Sequence, residues 1–401
     1  MEFIPFLQEM LGITEDFGIV KIEKITTSEK IIRIYLTYLP DVCKVEGCNL
    51  KVYDLAPERE WQHLSWFEYK CYIICKLPRY IDEDSKVVTF IPKFAPKNRG
   101  YTHLFKQSAI QLLQDIKVQS KVASILKTTP YIIRSIMDDA VEQALEKRGY
   151  VTNFKNISID EKSYAQGHEY ATILMDSDKE YIIDMHEGRK EKSLKALFSL
   201  VSGEEKQPHL EIVNIDMWQP YMNVIKEIAP QSTIVHDKFH VLDKLSKAID
   251  NTRKKEVHEN PLLRKQKYTV LKNEENRTDK QQAQFKLIED ANLKTAQAWH
   301  IKENFKVLWD YINVTDARDL INEWITKSRE KSIYHVNLAL KTIENHIEGV
   351  SNAIVTKTTS AIHENNNKKV QEVIANGRGF KNFERFRINA LFYFGKLPLF
   401  H

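Results

Sequence analysis

Ile157-Ser158-Ile159-Asp160 is a short apolar strand that ends on an acid, and the ninety residues around it decide the fold. Two further strand-like runs follow at 170–175 and 181–185. Leu194, Leu197, Phe198 and Val201 then fall at i, i+3, i+4 and i+7, which is one face of a helix. A strand at 210–215 runs into Asp216. A second helix carries Tyr221, Val224, Ile225 and Ile228 on one face, and a last strand occupies 232–235. The order is β-β-β-α-β-α-β, with acids at strand ends.

That order describes an RNase H-like α/β domain whose first part spans 151–241. In such a sheet the first and fourth strands are neighbours, about 4.8 Å apart, so Asp160 and Asp216 converge. Glu364 opens the last amphipathic helix, whose apolar stripe is Val370, Val373 and Ile374, and a carboxylate from that helix closes the cluster. Cutting a phosphodiester requires an activated water or 3′-hydroxyl and a stabilised leaving oxygen. Two Mg²⁺ (or Mn²⁺) ions roughly 3.5–4 Å apart do both, and such hard cations take oxygen ligands. Without metal, converging carboxylates repel and some take up protons. Asp160, Asp216 and Glu364 are therefore the expected catalytic and metal-binding residues. Asp237 is the rival to Asp216, and Asp237 with His240 is otherwise expected to support the ligands from behind. The plain reading of any one such acid is a solvated loop residue. Three together on this strand order weaken it.

Outward from this core the chain changes texture. Its 401 residues exceed one ordinary domain, and 42% hydrophobic with 10% aromatic residues suffices for real cores. A net charge of +4 does not demonstrate nucleic-acid binding; it leaves a polyanion unrepelled. Residues 1–100 are rich in Tyr, Val, Ile and Cys in short strand-like runs, a small β-rich module. Residues 101–150 turn helical, with Ile110, Leu113 and Ile116 in phase. Residues 242–354 are long, charged and helical, an all-helical insertion whose breaks fall at Asn260-Pro261 and around 313–316. Residues 355–401 return to the core as a helix and a basic tail. No basic leader opens the chain and no run of eighteen apolar residues occurs, so neither a secretory signal nor a membrane span is expected, and cytoplasm is the default.

Six segments carry a resemblance. They are Ile159-Asp160-Glu161, Gly167-His168-Glu169-Tyr170-Ala171-Thr172, His186-Glu187-Gly188-Arg189, Asp216-Met217-Trp218-Gln219-Pro220-Tyr221, Asp237-Lys238-Phe239-His240-Val241 and Arg378-Gly379-Phe380-Lys381-Asn382-Phe383. In this order they resemble the transposases of the ISL-three group of bacterial insertion sequences, a branch of the DDE class. The resemblance implies an enzyme that binds the terminal inverted repeats of its own element and cuts and joins double-stranded DNA. It puts the family acids on Asp160, Asp216 and Glu364. The family's last acid usually sits in a Glu-Gly-x-Asn-x-Lys context; here the run is Glu364-Asn365-Asn366-Asn367-Lys368-Lys369, without the glycine. Two element ends must be brought together, so a homodimer is expected on DNA. A catalytically inactive DNA-binding derivative and a non-transposing nuclease of the same fold are the alternatives.

The family usually carries an N-terminal zinc module with two cysteine pairs. Cys43 and Cys48 form a loose first pair, but the second is missing after Arg79-Tyr80, where the chain runs Ile81-Asp82-Glu83-Asp84-Ser85. A structural zinc site takes four Cys or His ligands, so stoichiometric zinc is not expected. Cys71 and Cys75 share one strand face and read as core thiols. Residues 120–137 read as a helix-turn-helix, with Thr129 capping, Pro130 at the first helical position, and Thr129, Tyr131 and Arg134 as candidate DNA contacts. In the tail Lys368, Lys369, Arg378 and Lys381, with Arg385 and Arg387, form a candidate phosphate-contacting edge, interleaved with Phe380, Phe383 and Phe386 as an aromatic core. Trp218 and Trp299 read as core residues.

Overall fold

The computed structural model describes residues 3–45, 47–165, 167, 169–203, 209–236, 238–311, 317–356, 360–377 and 379–400, the side chains of 3, 311 and 360–367 excepted. The chain forms two units, residues 1–147 with 397–401, and residues 148–396.

The first unit opens with α1 (Phe3–Met10), β1 (Phe17–Thr26), β2 (Lys30–Tyr38), β3 (Val42–Val45), β4 (Cys48–Lys51), β5 (Asp54–Leu55), β6 (Arg59–Trp66), β7 (Tyr69–Cys75), β8 (Pro78–Ile81) and β9 (Val87–Thr89). Its main sheet runs β1-β2-β7-β6, with β2 and β7 parallel. Phe17, Ile34, Trp61, Ile73 and Phe94 fill the core. Cys71 and Cys75 lie among them, as their spacing predicts, and burial pushes both thiols up to about 12. Cys43 is buried in the same core, whereas Cys48 is exposed, so this pair is divided between core and solvent.

Three helices follow: α2 (His103–Ile116), α3 (Gln119–Ile125) and α4 (Pro130–Arg148). The Thr102 hydroxyl caps α2 by accepting from the Phe105 N–H, and it also lies 2.8 Å from His63 Nδ1. The Thr129 hydroxyl accepts from the Ile132 N–H at 3.3 Å, and Pro130 opens α4, so both residues act as the sequence predicts. Ile133 and Ile136 are buried, leaving Tyr131 and Arg134 exposed.

The second unit is built on β10 (Asn156–Ala165), β11 (Glu169–Asp176), β12 (Tyr181–Glu187), α5 (Glu191–Ser202), β13 (Ile212–Ile215), α6 (Gln219–Ile228) and β14 (Thr233–Val235), in the expected order. The sheet runs β12-β11-β10-β13-β14; β10 pairs antiparallel with β11 and parallel with β13. Alternation sends Ile157, Ile159, Leu174, Ile183, Val213 and Ile215 to one face, where they pack with Leu194, Leu197, Phe198, Tyr221, Val224 and Ile225 of α5 and α6. Each such side chain contributes about 1.5–3 kcal/mol on burial.

A helical lobe then intervenes: α7 (Lys238–Glu256), α8 (Lys267–Leu271), α9 (Asp279–Asp290), α10 (Lys294–Tyr311), α11 (Ala317–Arg329), α12 (Tyr334–Asn345) and α13 (Ile347–Val355). It has a core of its own, including Leu245, Ile249, Phe285, Trp299, Phe305 and Leu340. Every strand of the unit lies outside it. Among the described residues no helix is long and apolar enough to cross a membrane.

The chain returns through α14 (Ser360–Gly377) and α15 (Phe383–Phe394), which serve the other face of the sheet. Val370 and Val373 are buried, as their periodicity predicts. Tyr164 of β10 stacks on Phe386 at 5.6 Å and meets Phe383 at 6.0 Å, and Phe380 packs on Phe386 at 5.4 Å. The three phenylalanines are therefore core. Arg387 on α15 donates to both carboxylate oxygens of Asp184 on β12, at 2.7 and 2.9 Å. Asp184 is buried, and Arg148 stands 3.8 Å away as a second cation. Arg387 thus clamps α15 to the sheet.

Two consequences are measurable. Replacing Arg387 by Ala leaves the Asp184 carboxylate buried with one distant cation, so Arg387→Ala is expected to lower unfolding stability by about 3–5 kcal/mol in urea titrations, and Asp184→Asn in the same background to restore part of it. His63 is 3% exposed, and burial pushes its imidazole down to about 4 from 6.5. Between those values the unfolded chain binds a proton that the folded one refuses, so this contribution to stability is complete above pH 6.5 and lost as pH falls towards 4, on the order of 3 kcal/mol in full. His63→Gln is expected to make the fall of the thermal midpoint between pH 7 and 4.5 shallower.

Candidate active site

The parallel register of β10 and β13 pairs Asn156 with Ile212, Ser158 with Asn214 and Ile159 with Ile215. The next residue on each strand is an acid: Asp160 within β10 and Asp216 just past the end of β13. Both have the parity opposite to the Ile157–Ile159 and Val213–Ile215 rows, so they stand on the face opposite α5 and α6. Neighbouring strands lie about 4.8 Å apart. The register thus places the two aspartates predicted from the sequence at adjacent positions of neighbouring strands.

Each carboxylate meets a cation. Lys162, two residues on along the same face, puts its Nζ 3.1 Å from Asp160 Oδ2. Lys244 on α7 puts its Nζ 3.6 Å from Asp216 Oδ2, and His240, one turn earlier, has Nδ1 3.7 Å from Asp216 Oδ1. Backbone amides complete the shell: the Glu161 N–H donates to Asp160 Oδ1 and the Met217 N–H to Asp216 Oδ1, both at 2.7 Å. Burial raises the Asp216 pKa, but His240, Lys244 and the Met217 amide together outweigh it, and the carboxyl is held below its usual value. With 45% of that side chain accessible, water screens these contributions. Asp216 is ionised at neutral pH.

Glu161 points the other way, towards α6. Burial pushes it up to about 7, against the pull of Arg189 and a hydrogen bond with Tyr221. The Tyr221 hydroxyl lies 2.6 Å from Thr172 Oγ1, which donates to the Gly188 carbonyl at 2.7 Å. Gly188 has φ +92°, and a Cβ there would fall 2.7 Å from Ser193 Oγ. The segments containing Glu161, Thr172, Gly188 and Tyr221 are thus joined behind the acids by one polar chain.

Other expected residues divide. Glu364 is on α14, but its side chain lies outside the described residues, as do Asp237 and Arg378 altogether. Among the described residues no group of three or more His, Cys, Asp or Glu has metal-site spacing. Lys368 and Lys381 are exposed. Lys369 instead donates to the Glu180 carbonyl at 2.9 Å, beside the β11–β12 turn. Trp299 is core, but Trp218 is 46% exposed and corrects the core expectation: it is the N-cap of α6, where Met217 and Tyr221 on either side take the buried positions. Lys162, Lys244 and Glu161 were not foreseen as parts of the site. The signal for the first two was spacing, i+2 from Asp160 on a strand and i+4 from His240 on a helix.

Known proteins bear on this arrangement. Residues 157–390, more than half the chain, match a family model described as a transposase, that of the ISL-three DDE group. The chain is 22% identical over 401 residues to the transposase for insertion sequence element IS1001 of Bordetella parapertussis, covering 96% of this chain and 98% of that one. It is 20% identical over 354 residues to the transposase for insertion sequence element IS1557 of Mycobacterium tuberculosis, covering 81% and 79%. The matched span begins on the strand that carries Asp160 and ends within the helix that carries Arg387, and the chain belongs to the ISL-three group of DDE transposases.

Proposed function

We propose that this protein binds the ends of an insertion sequence and catalyses DNA strand cleavage and strand transfer on an RNase H-like core, with Asp160, Asp216 and Glu364 holding two Mg²⁺ or Mn²⁺ ions. The observation that carries the reading is the pair Asp160 and Asp216 at adjacent positions of parallel strands, each facing a lysine ammonium. The donor set fits a hard divalent cation: it is all carboxylate oxygen, and it already accommodates positive charge against both acids. Glu364 joins from α14, whose buried Val370 and Val373 seat that helix within the same unit. Bound divalent ions would supply Lewis-acid activation of the attacking oxygen and charge stabilisation at the leaving oxygen.

The chain's own groups do the rest. Asp216 stays ionised without metal and so offers a ready ligand. Lys162 and Lys244 neutralise the acids in the free protein and, displaced from them, stand within reach of a phosphodiester's equatorial oxygens. His240 lies against Asp216 and restrains it, with Asp237 assigned to the same supporting role. DNA is held by Thr129, Tyr131 and Arg134 at the start of α4, as the recognition helix of a helix-turn-helix, and by Lys368, Arg378 and Lys381 along the tail, which Lys369 joins only on leaving Glu180. The complex on paired ends is a homodimer. Stoichiometric zinc is not part of this reading, which is supported by the division of Cys43 and Cys48 between core and solvent.

Asp160→Asn tests the reading on DNA carrying the element's own ends. Cleavage with Mg²⁺ is expected to fall by roughly three orders of magnitude or more, the several kcal/mol that a metal's charge supplies, while end binding stays within about twofold. Cleavage by the variant at the wild-type rate would exclude Asp160 as a ligand.

A further inference from the structure

One buried histidine is not accounted for by packing. His236 follows β14 directly and is fully buried. Its Nδ1 lies 2.7 Å from the Ile215 carbonyl, the peptide oxygen immediately before Asp216. A carbonyl only accepts, so the imidazole carries its proton on Nδ1 and donates it there. The parallel ladder between β13 and β14 ends at the pair Asn214–Val235, so Ile215 is paired on its β10 side, with Ile159, but not on its β14 side. The imidazole takes over where the ladder stops.

The same residue is gripped from the helical lobe. Its backbone N–H donates to the Gly349 carbonyl on α13 at 2.9 Å. A Cβ at Gly349 would lie 2.4 Å from the ring's Cδ2 and 2.7 Å from its Nε2, so only glycine admits the imidazole in this pose. Asn352, three residues on, donates to the Ile234 carbonyl of β14 at 3.1 Å. The His346 ring stands edge-on at 5.4 Å. Within this enclosure Nε2 of His236 is buried without a partner among the described residues. An apolar residue of similar volume would avoid that desolvation cost, so the position retains histidine for the bond made by Nδ1.

We propose that His236 is the positioning residue of the catalytic centre: its Nδ1–H fixes the Ile215–Asp216 peptide, and its seat against Gly349 ties the Asp216 carboxylate to the docking of α13. The inference rests on the reading of Asp216 as a metal ligand. A partner that orients a ligand from behind typically contributes a factor of 10–100 in metal affinity.

Asn and Gln separate the two ring nitrogens, because the Asn amide reaches where Nδ1 lies and the Gln amide where Nε2 lies. The full-length wild type, His236→Asn, His236→Gln, His236→Leu and Gly349→Ala are compared for Mn²⁺ binding by calorimetry and for the Mn²⁺ dependence of cleavage of DNA bearing the element's ends, with thermal midpoints recorded. His236→Leu, His236→Gln and Gly349→Ala are expected to weaken Mn²⁺ binding by about 10–100-fold while end binding is unchanged, and His236→Asn to stay within about threefold of wild type. If His236→Leu does not fold, Asn against Gln decides alone. Equal metal dependence in Asn and Gln variants overturns the proposal, as does a misfolded Asn variant, which keeps the donor. Wild type that binds no Mn²⁺, or Asp216→Asn that binds it as wild type does, overturns the metal reading instead and leaves a different signature from a failure at His236 alone.

Discussion

Two strands running the same way in one register bring two negative charges together, and much of the second unit answers that constraint. At a spacing of about 5 Å and an effective dielectric constant near 20, a pair of carboxylates repels by about 3 kcal/mol. Three kinds of group offset it. The amides of Glu161 and Met217 donate to one oxygen each, Lys162 reaches across from the same strand, and Lys244 and His240 arrive from the first turns of the lobe. The lobe is therefore more than a connector. Its first helix supplies the charge that lets Asp216 remain an anion, and α13 holds the strand beside it.

The sheet itself opposes this concentration of charge with a strongly apolar reverse face. Ile157, Ile159, Val213 and Ile215 point into α5 and α6, so neither acid can turn through without placing isoleucine in water. Side-chain alternation is what aims the acids. Glu161 is the exception on that face, and the buried chain through Tyr221 and Thr172 to Gly188 satisfies it.

Most of this core was legible because its signals are local. Apolar runs of four to eight residues give strands, and the i, i+3, i+4, i+7 spacing of Leu194 to Val201 gives α5 with its buried face correct. Asp160 and Asp216 could be placed because the parity of a strand is visible in its letters. The β-rich module was harder. It holds β2 beside β7, pairing Ile31 with Lys70 across thirty-nine positions, and nothing in either segment announces its partner. Arg387 was misleading for a similar reason: in the sequence it is one of a run of basic residues, whereas its role is decided by an aspartate 203 positions away. Trp218 read as core until the cap of α6 turned it outward. His236 was silent, because no pattern in a sequence reports that a hydrogen-bond ladder stops one residue short.

The Asp184–Arg387 clamp has a bearing on how the chain reaches this state during synthesis. The face covered by α5 and α6 is complete soon after residue 228 is made, whereas Asp184 waits for a guanidinium 203 positions later. At about 5–20 residues per second that delay is on the order of 10–40 s. Throughout it that face of the sheet lacks α15, while the lobe forms its own core around Phe285, Trp299 and Phe305. The sheet thus acquires its second face only once α15 has been made. Chains that stall or are clipped before α15 leave Asp184 with Arg148 at 3.8 Å as its remaining cation and keep exposed the surface that proteases and chaperones recognise.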